Sequence, residues 1–252
     1  MRISLLLLLL AISNSALGAS DALPKKLHLA STQWCPYVCS GPHSGGVSQY
    51  IAEILAQHDV ALNVTQMPWS RAVKQAKEGV YDGLLTVGET EARALSYTNT
   101  PIGYYQTCFL SLKSSDVTLS EPFALNGARL GIVQGYGYGW ELDQFIEKSA
   151  DGLVAISGFK VFSRLVRLLS KKRVDMIAVD TRELRWWLGA DVMEKKNLKS
   201  LGCLTAAPYF MGLNRAFIGR GDIISLLDVE LSKPYNQRRL ERLLSETYRL
   251  SE

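Results

Sequence analysis

Histidine is scarce in this sequence. Three occur in 252 residues, His28, His43 and His58. None stands in a His-Glu-x-x-His pattern, and neither a Gly-x-Ser-x-Gly elbow nor a Walker-type phosphate loop is present. Nucleophilic and zinc-protease chemistry therefore have no visible constellation, and neither catalytic residues nor a cofactor are expected. Beyond the first residues, no run reaches the ~18 apolar positions that suggest a membrane helix. Charge of one sign is not concentrated either. Lys171-Lys172-Arg173 is one short run and reads as a solvated helix end, which argues against a nucleic-acid partner.

What is present begins with an export signal. Arg2, the apolar run Leu5–Ile12 and the mostly small residues Ser13–Ala19 have the layout of a secretory signal peptide (1–18), with cleavage expected after Gly18. The mature chain from residue 19 is expected to be a soluble monomer in the periplasm. Losing Arg2 lowers the formal charge from +4 to +3, too little to dictate an acidic partner. Four cysteines remain, at 35, 39, 108 and 203. An even number in an oxidising compartment points to disulfides, and three connectivities are open. A zinc site from Cys35, Cys39 and His43 competes, but it lacks a second ligand pair.

Hydrophobic periodicity then alternates strand and helix. Leu27–Ser31, Val60–Gln66 and Tyr81–Val87 read as strands, separated by helices at Val47–Gln57 and Trp69–Glu78. The order resets after Cys108–Leu112. Strands at Arg129–Val133, Val154–Ser157 and Val174–Val179 alternate with helices at Trp140–Lys148, Val161–Ser170 and Arg182–Leu188. Tyr209–Asn214 is a further strand, followed by helices around Ile223–Leu231 and Gln237–Tyr248. Two β-α-β-α-β units imply an α/β fold of two doubly wound lobes. Two crossing strands, Cys108–Leu112 and Tyr209–Asn214, would join them. The boundaries are 19–112 for the first part of lobe 1, 113–208 for lobe 2, and 209–252 for the return to lobe 1. One continuous six-strand sheet is the alternative. If the crossing strands lie side by side, Cys108 pairs with Cys203, which leaves Cys35 for Cys39.

In such sheets a ligand sits beyond the carboxyl ends of the strands. The loop Gly135-Tyr136-Gly137-Tyr138-Gly139 follows a strand and opens a helix, so its N–H groups suit a ligand-facing turn. Its spacing does not fit a dinucleotide fingerprint. Arg93 follows one strand end and Asp180 another, one from each half of the chain. A guanidinium fork suits a carboxylate and an aspartate suits an amine, so a zwitterion between them would draw the lobes together. The plainer account leaves Arg93 on the surface and makes Asp180 a helix cap.

Several segments resemble the periplasmic solute-binding proteins of polar amino-acid ABC transporters. They are Gly79-Val80-Tyr81-Asp82, Thr90-Glu91-Ala92-Arg93, Tyr97-Thr98-Asn99-Thr100-Pro101, Arg129–Gly135 (RLGIVQG) and Arg173-Val174-Asp175 with Asp180. The resemblance implies a two-lobed protein of the type II periplasmic binding fold, with no enzymatic activity. It would capture an amino acid or related carboxylate for a membrane permease or a sensor. It further implies that Arg93 holds the ligand carboxylate, Asp180 its amino group, and Trp34 and Trp69 its apolar part, with Thr86 and Gly88 beside the arginine. Gly88 stands where a Ser or Thr is usual, and Tyr136 and Gly137 replace a Ser/Thr pair. Trp69-Ser70-Arg71-Ala72 resembles a W-x-R-A variant branch in which Arg71 adds a second cation. An enzyme on this scaffold, a dehydratase of a cyclic carboxylate, would need Glu89 or Glu91 as general acid.

Overall fold

The computed structural model describes residues 23–41, 44–88, 91–119, 125–148, 151–158 and 160–249. The expected signal peptide, His43, Glu89 and Thr90 lie outside these residues.

Alternating burial sets the first sheet. In β1 (Lys26–Ser31) Leu27 and Leu29 are fully buried. Helix α1 (Gly46–Ala56) presents Val47, Tyr50, Ile51, Ile54 and Leu55 at helical spacing to the same core. The chain continues through β2 (Ala61–Gln66), α2 (Trp69–Lys77), β3 (Gly83–Gly88) and the short strands β4 (Ser96–Tyr97) and β5 (Gly103–Tyr105). It then leaves for the second sheet.

That second sheet takes β6 (Thr107–Leu112), β7 (Leu130–Val133), α3 (Trp140–Lys148), β8 (Leu153–Ile156), α4 (Val161–Ser170) and β9 (Met176–Asp180). Helices α5 (Thr181–Leu188) and α6 (Val192–Lys195) and strand β10 (Leu198–Cys203) complete it. Strand β11 (Ala207–Leu213) returns to the first sheet, and α7 (Arg220–Leu231) and α8 (Pro234–Arg249) pack beneath it. Gly46 marks the close crossing of α1 and α8, because a Cβ there would lie 2.8 Å from the Leu244 side chain.

Two separate sheets result, ordered β2-β1-β3-β11-β4 with β5 on β11, and β10-β6-β9-β7-β8. The α/β expectation of two lobes therefore holds, and the single continuous sheet does not. The sheets are mixed rather than wholly parallel. β11 runs antiparallel to β3, β6 antiparallel to β9, and β10 antiparallel to β6. The reason is directional: a strand arriving from the other lobe enters at the cleft end, where the parallel strands finish, and must run the opposite way.

Cys108–Leu112 belongs wholly to the second sheet, so the first crossing falls at Gln106, not at the expected 112/113 boundary. The second crossing lies between Cys203 and Ala207. The two crossings are tied together, since Gln106 Nε2 donates to Leu204 O (3.1 Å) and Leu204 N–H to Thr107 O (2.9 Å). Cys108 and Cys203 are register partners in β6 and β10 and form a disulfide, and Cys35 bonds to Cys39, as chain geometry predicts. Among the described residues no helix is long and apolar enough to cross a membrane.

Candidate functional site

The carboxyl ends of β1, β3, β7 and β9 converge on a cleft between the two sheets, the position where open α/β sheets place ligands. The cleft encloses about 110 Å³, several times the ~30 Å³ share of one water molecule. That is room for a small organic molecule.

The first lobe contributes Trp34 through a tight loop. Trp34 and Val38 exchange backbone hydrogen bonds of 2.7 and 2.8 Å, the Cys35–Cys39 disulfide spans the same turn, and the Cys35–Pro36 peptide is cis. The indole stacks on Tyr37 at 4.1 Å between centroids and meets the edges of Tyr105 and Tyr209 at 5.7 and 5.3 Å. Trp69, the first residue of α2, and Thr86 and Gly88 of β3 complete this wall. The second lobe contributes the 135–139 loop. Tyr138 braces it, its hydroxyl accepting from Val133 N–H (2.6 Å) and its carbonyl from Thr107 Oγ1 (2.7 Å). Gly135 and Gly139 both have positive φ, which lets the loop turn between β7 and α3. Tyr136 faces the cleft beside Phe162.

Three carboxyl groups line this aromatic cavity: Glu91, Asp180 and Glu183. Asp180 is both helix cap and lobe bridge. Its Oδ1 accepts from the N–H groups of Arg182 (2.6 Å) and Glu183 (3.3 Å), starting α5. Its Oδ2 accepts from the Tyr37 hydroxyl of the other lobe (2.8 Å). Burial raises the Asp180 pKa, and these hydrogen bonds partly offset it. Glu183, one turn along, is 3% exposed, and its Oε1 has no hydrogen-bond partner. Burial, then the charge of Asp180, pushes its pKa well up, with the Trp34 indole acting in the other direction. The Tyr209 hydroxyl is a second buried orphan, but it lies against Gly103 in the core of the first lobe. An unpartnered buried polar atom costs about 1–3 kcal/mol, so the one on Glu183 marks a cleft residue kept for something besides stability.

Glu91 is exposed by area, yet protein crowds its carboxylate. Oε2 accepts from Gly88 N–H at 2.6 Å. Cβ atoms built at Gly88 and Gly137 would lie 3.1 Å from Oε2 and 2.8 Å from Oε1. The carboxylate thus fits between the lobes because both neighbours are glycine. Desolvation raises its pKa, partly offset by the Gly88 N–H.

Of the residues expected at the site, Trp34, Trp69, Thr86, Gly88, Tyr136, Gly137 and Asp180 line the cleft. Arg71 and Arg93 do not; both are exposed, and the Arg93 carbonyl accepts from Arg215 (3.1 Å). Sequence reasoning overlooked Tyr37, Glu183 and Tyr209. Glu183 stands three residues after Asp180, the spacing of a helix N-terminus, which gives an acidic residue there an ordinary explanation.

No protein-family model and no curated protein matches the chain. Its likeness is to solved structures. An ancestral arginine-binding protein bound to arginine superposes with a TM-score of 0.66 at 14% identity, covering 90% of this chain and 99% of the other. A histidine kinase sensor domain with similarity to periplasmic binding proteins gives 0.68 at 15%, covering 90% and 96%. An arginine transport-system periplasmic binding protein from Legionella pneumophila gives 0.62 at 15%, covering 88% and 99%. The fold is that of the type II periplasmic binding proteins. Within that fold the cleft described above lies between the two lobes, and the Gln106 and Leu204 crossings are where the lobes connect.

Proposed function

We propose that this chain is a periplasmic solute-binding protein that closes its two lobes on a small amine-bearing solute and passes it to a membrane permease of an ABC transporter. The carrying observation is the cleft itself, an aromatic cavity at the strand ends of both sheets, spanned by the Tyr37–Asp180 hydrogen bond. The Arg182–Glu241 ion pair (2.8 Å) joins α5 to α8 and supports the same closed arrangement. Opening about the two crossings would break both contacts and admit solute, and closure would remove water from around the charges and strengthen them. Arginine- and glutamine-bound neighbours of this fold make an amino-acid-like solute the first class to test. The amine half of that reading has Asp180 in the cleft, whereas its carboxylate half rests on Arg93, which lies outside the lining.

A sensor partner is the second reading, favoured by the kinase sensor domain among the structural neighbours. An acid catalyst working through Glu91 is less well served, because among the described residues no cation lines the cleft to hold a cyclic carboxylate. Solution scattering with and without solute tests the reading. A compaction that Trp34→Ala abolishes is expected; unchanged dimensions with every amine and amino acid tried would refute it. Co-purification of a permease, as against a receptor kinase, decides between the two partners.

A further inference from the structure

The cleft's charge balance is one-sided. Glu91, Asp180 and Glu183 line it, and among the described residues no Lys, Arg or His does. The guanidinium of Arg182, next to Asp180 in sequence, is committed to Glu241. Glu183 is the decisive group, because it is a lining residue of the cleft that is buried, with Oε1 unpartnered. Aromatic faces make up much of the remaining wall, and such faces attract cations through their quadrupole. A metal ion does not fit this lining, since no group of three metal-ligating side chains comes together among the described residues.

The position of Glu91 narrows the choice further. The Gly88 N–H at the end of β3 is a donor that an anionic ligand group would use, and Glu91 already takes it at 2.6 Å. Glycine at 88 and 137 makes room for that carboxylate from both lobes. A ligand carboxylate entering here meets a negative group instead of a donor.

We infer that the cleft selects a small organic cation lacking a carboxylate of its own, with Glu183 as its counter-charge and Glu91 excluding the corresponding amino acid. This rests on the solute-binding reading and deepens it. Burial raises the pKa of all three carboxyls, and a cation arriving beside them would favour their ionised forms and lower those pKa values again.

Matched pairs test it by calorimetry on the mature chain: tyramine and tyrosine, phenethylamine and phenylalanine, agmatine and arginine, cadaverine and lysine. The members of each pair differ by one carboxylate. At least one amine is expected to bind at least tenfold more tightly than its parent amino acid. Glu183→Gln should weaken that amine at least tenfold, because the counter-charge is gone. Glu91→Gln should narrow the amine-to-amino-acid ratio several-fold, and thermal melts establish that both variants fold. An amino acid that binds as tightly as its amine overturns the inference, as does an unchanged affinity in Glu183→Gln or the failure of all four amines. Trp34→Ala separates the two levels. If an amino acid binds without preference for its amine, and Trp34→Ala abolishes that binding, the cation assignment falls and the solute-binding reading stands. Binding indifferent to Trp34→Ala removes both.

Discussion

At the foot of β9, Asp175 receives Arg129 through a two-pronged contact, Nε to Oδ2 and Nη2 to Oδ1, each 3.0 Å, with the Arg129 N–H adding 2.8 Å. At the head of the same strand, Asp180 and Glu183 face the cleft, and among the described residues no cationic side chain lines it. The arginine holds the Asp175 pKa below the usual carboxylate range, whereas burial drives those of Asp180 and Glu183 upward. Both ends are acidic, but the foot is paired with a cation, whereas at the head Asp180 is held by hydrogen bonds and Glu183 keeps Oε1 unpartnered. The foot uses charge to fix a β7–β9 register, while the head keeps acceptor capacity in reserve, as a binding surface does.

The largest expected effect removes the bridge behind the head. Cys108 pairs in register with Val179, and its disulfide to Cys203 closes a separation of 95 residues, against 4 for Cys35–Cys39. Replacing Cys108 and Cys203 by Ser should cost about 2–5 kcal/mol, and replacing Cys35 and Cys39 distinctly less, because closure entropy grows with loop length. Chemical denaturation of the two double variants measures this; equal costs would contradict it.

Next comes the contrast of the two aspartates. Asp180→Ala removes the cap of α5 and leaves the buried Tyr37 hydroxyl unpaired, so a loss of about 2 kcal/mol is expected. Asp175→Asn breaks a pair whose side chains are 45% and 33% exposed, and should cost below ~1 kcal/mol. A reversed order in urea melts would erase the distinction between head and foot.

The smallest effects are pH slopes, of opposite sign at the two ends. Asp175 has a lowered folded pKa, so its contribution is present above its unfolded value near ~3.9 and is lost as pH falls through the folded value. Glu183 has a raised one, so its contribution is present below its unfolded value near ~4.3 and is lost as pH rises through the folded value. Asp180, Tyr136, Tyr138 and the Trp34 indole are the groups that act on Glu183 or that it acts on. Glu183→Gln should therefore flatten the decline in stability that sets in as pH rises above ~4.3. Asp175→Asn should flatten only the decline on the acid side of ~3.9. Identical profiles for both variants would show that neither shift is felt in the fold.

Local pattern carried much of this fold. The helices at 140–148 and 161–170 fall where periodicity puts them, and the main strands shift by one or two residues. Strand burial and helix amphipathicity are properties of neighbouring residues, so sequence suffices for them. Strands β4, β5 and β10 escaped notice because they are short or half-exposed and owe their state to partners far along the chain. The site divides in the same way. Trp34, Gly137 and Asp180 were visible because each follows or ends a strand, and Gly88 through the resemblance of its segment to solute-binding proteins. Which of Glu91 and Arg93 faces the cleft was not visible, since they are neighbours and their sequence spacing does not distinguish them. Tertiary structure alone turned Glu91 inward between two glycines 49 residues apart in numbering, 88 and 137. It also buried Glu183 against the Trp34 of the other lobe. The sequence determined where the strands end, because hydrophobic period is local. The sign of the charge presented there depended on which side chains the assembled lobes bring together and seal from water.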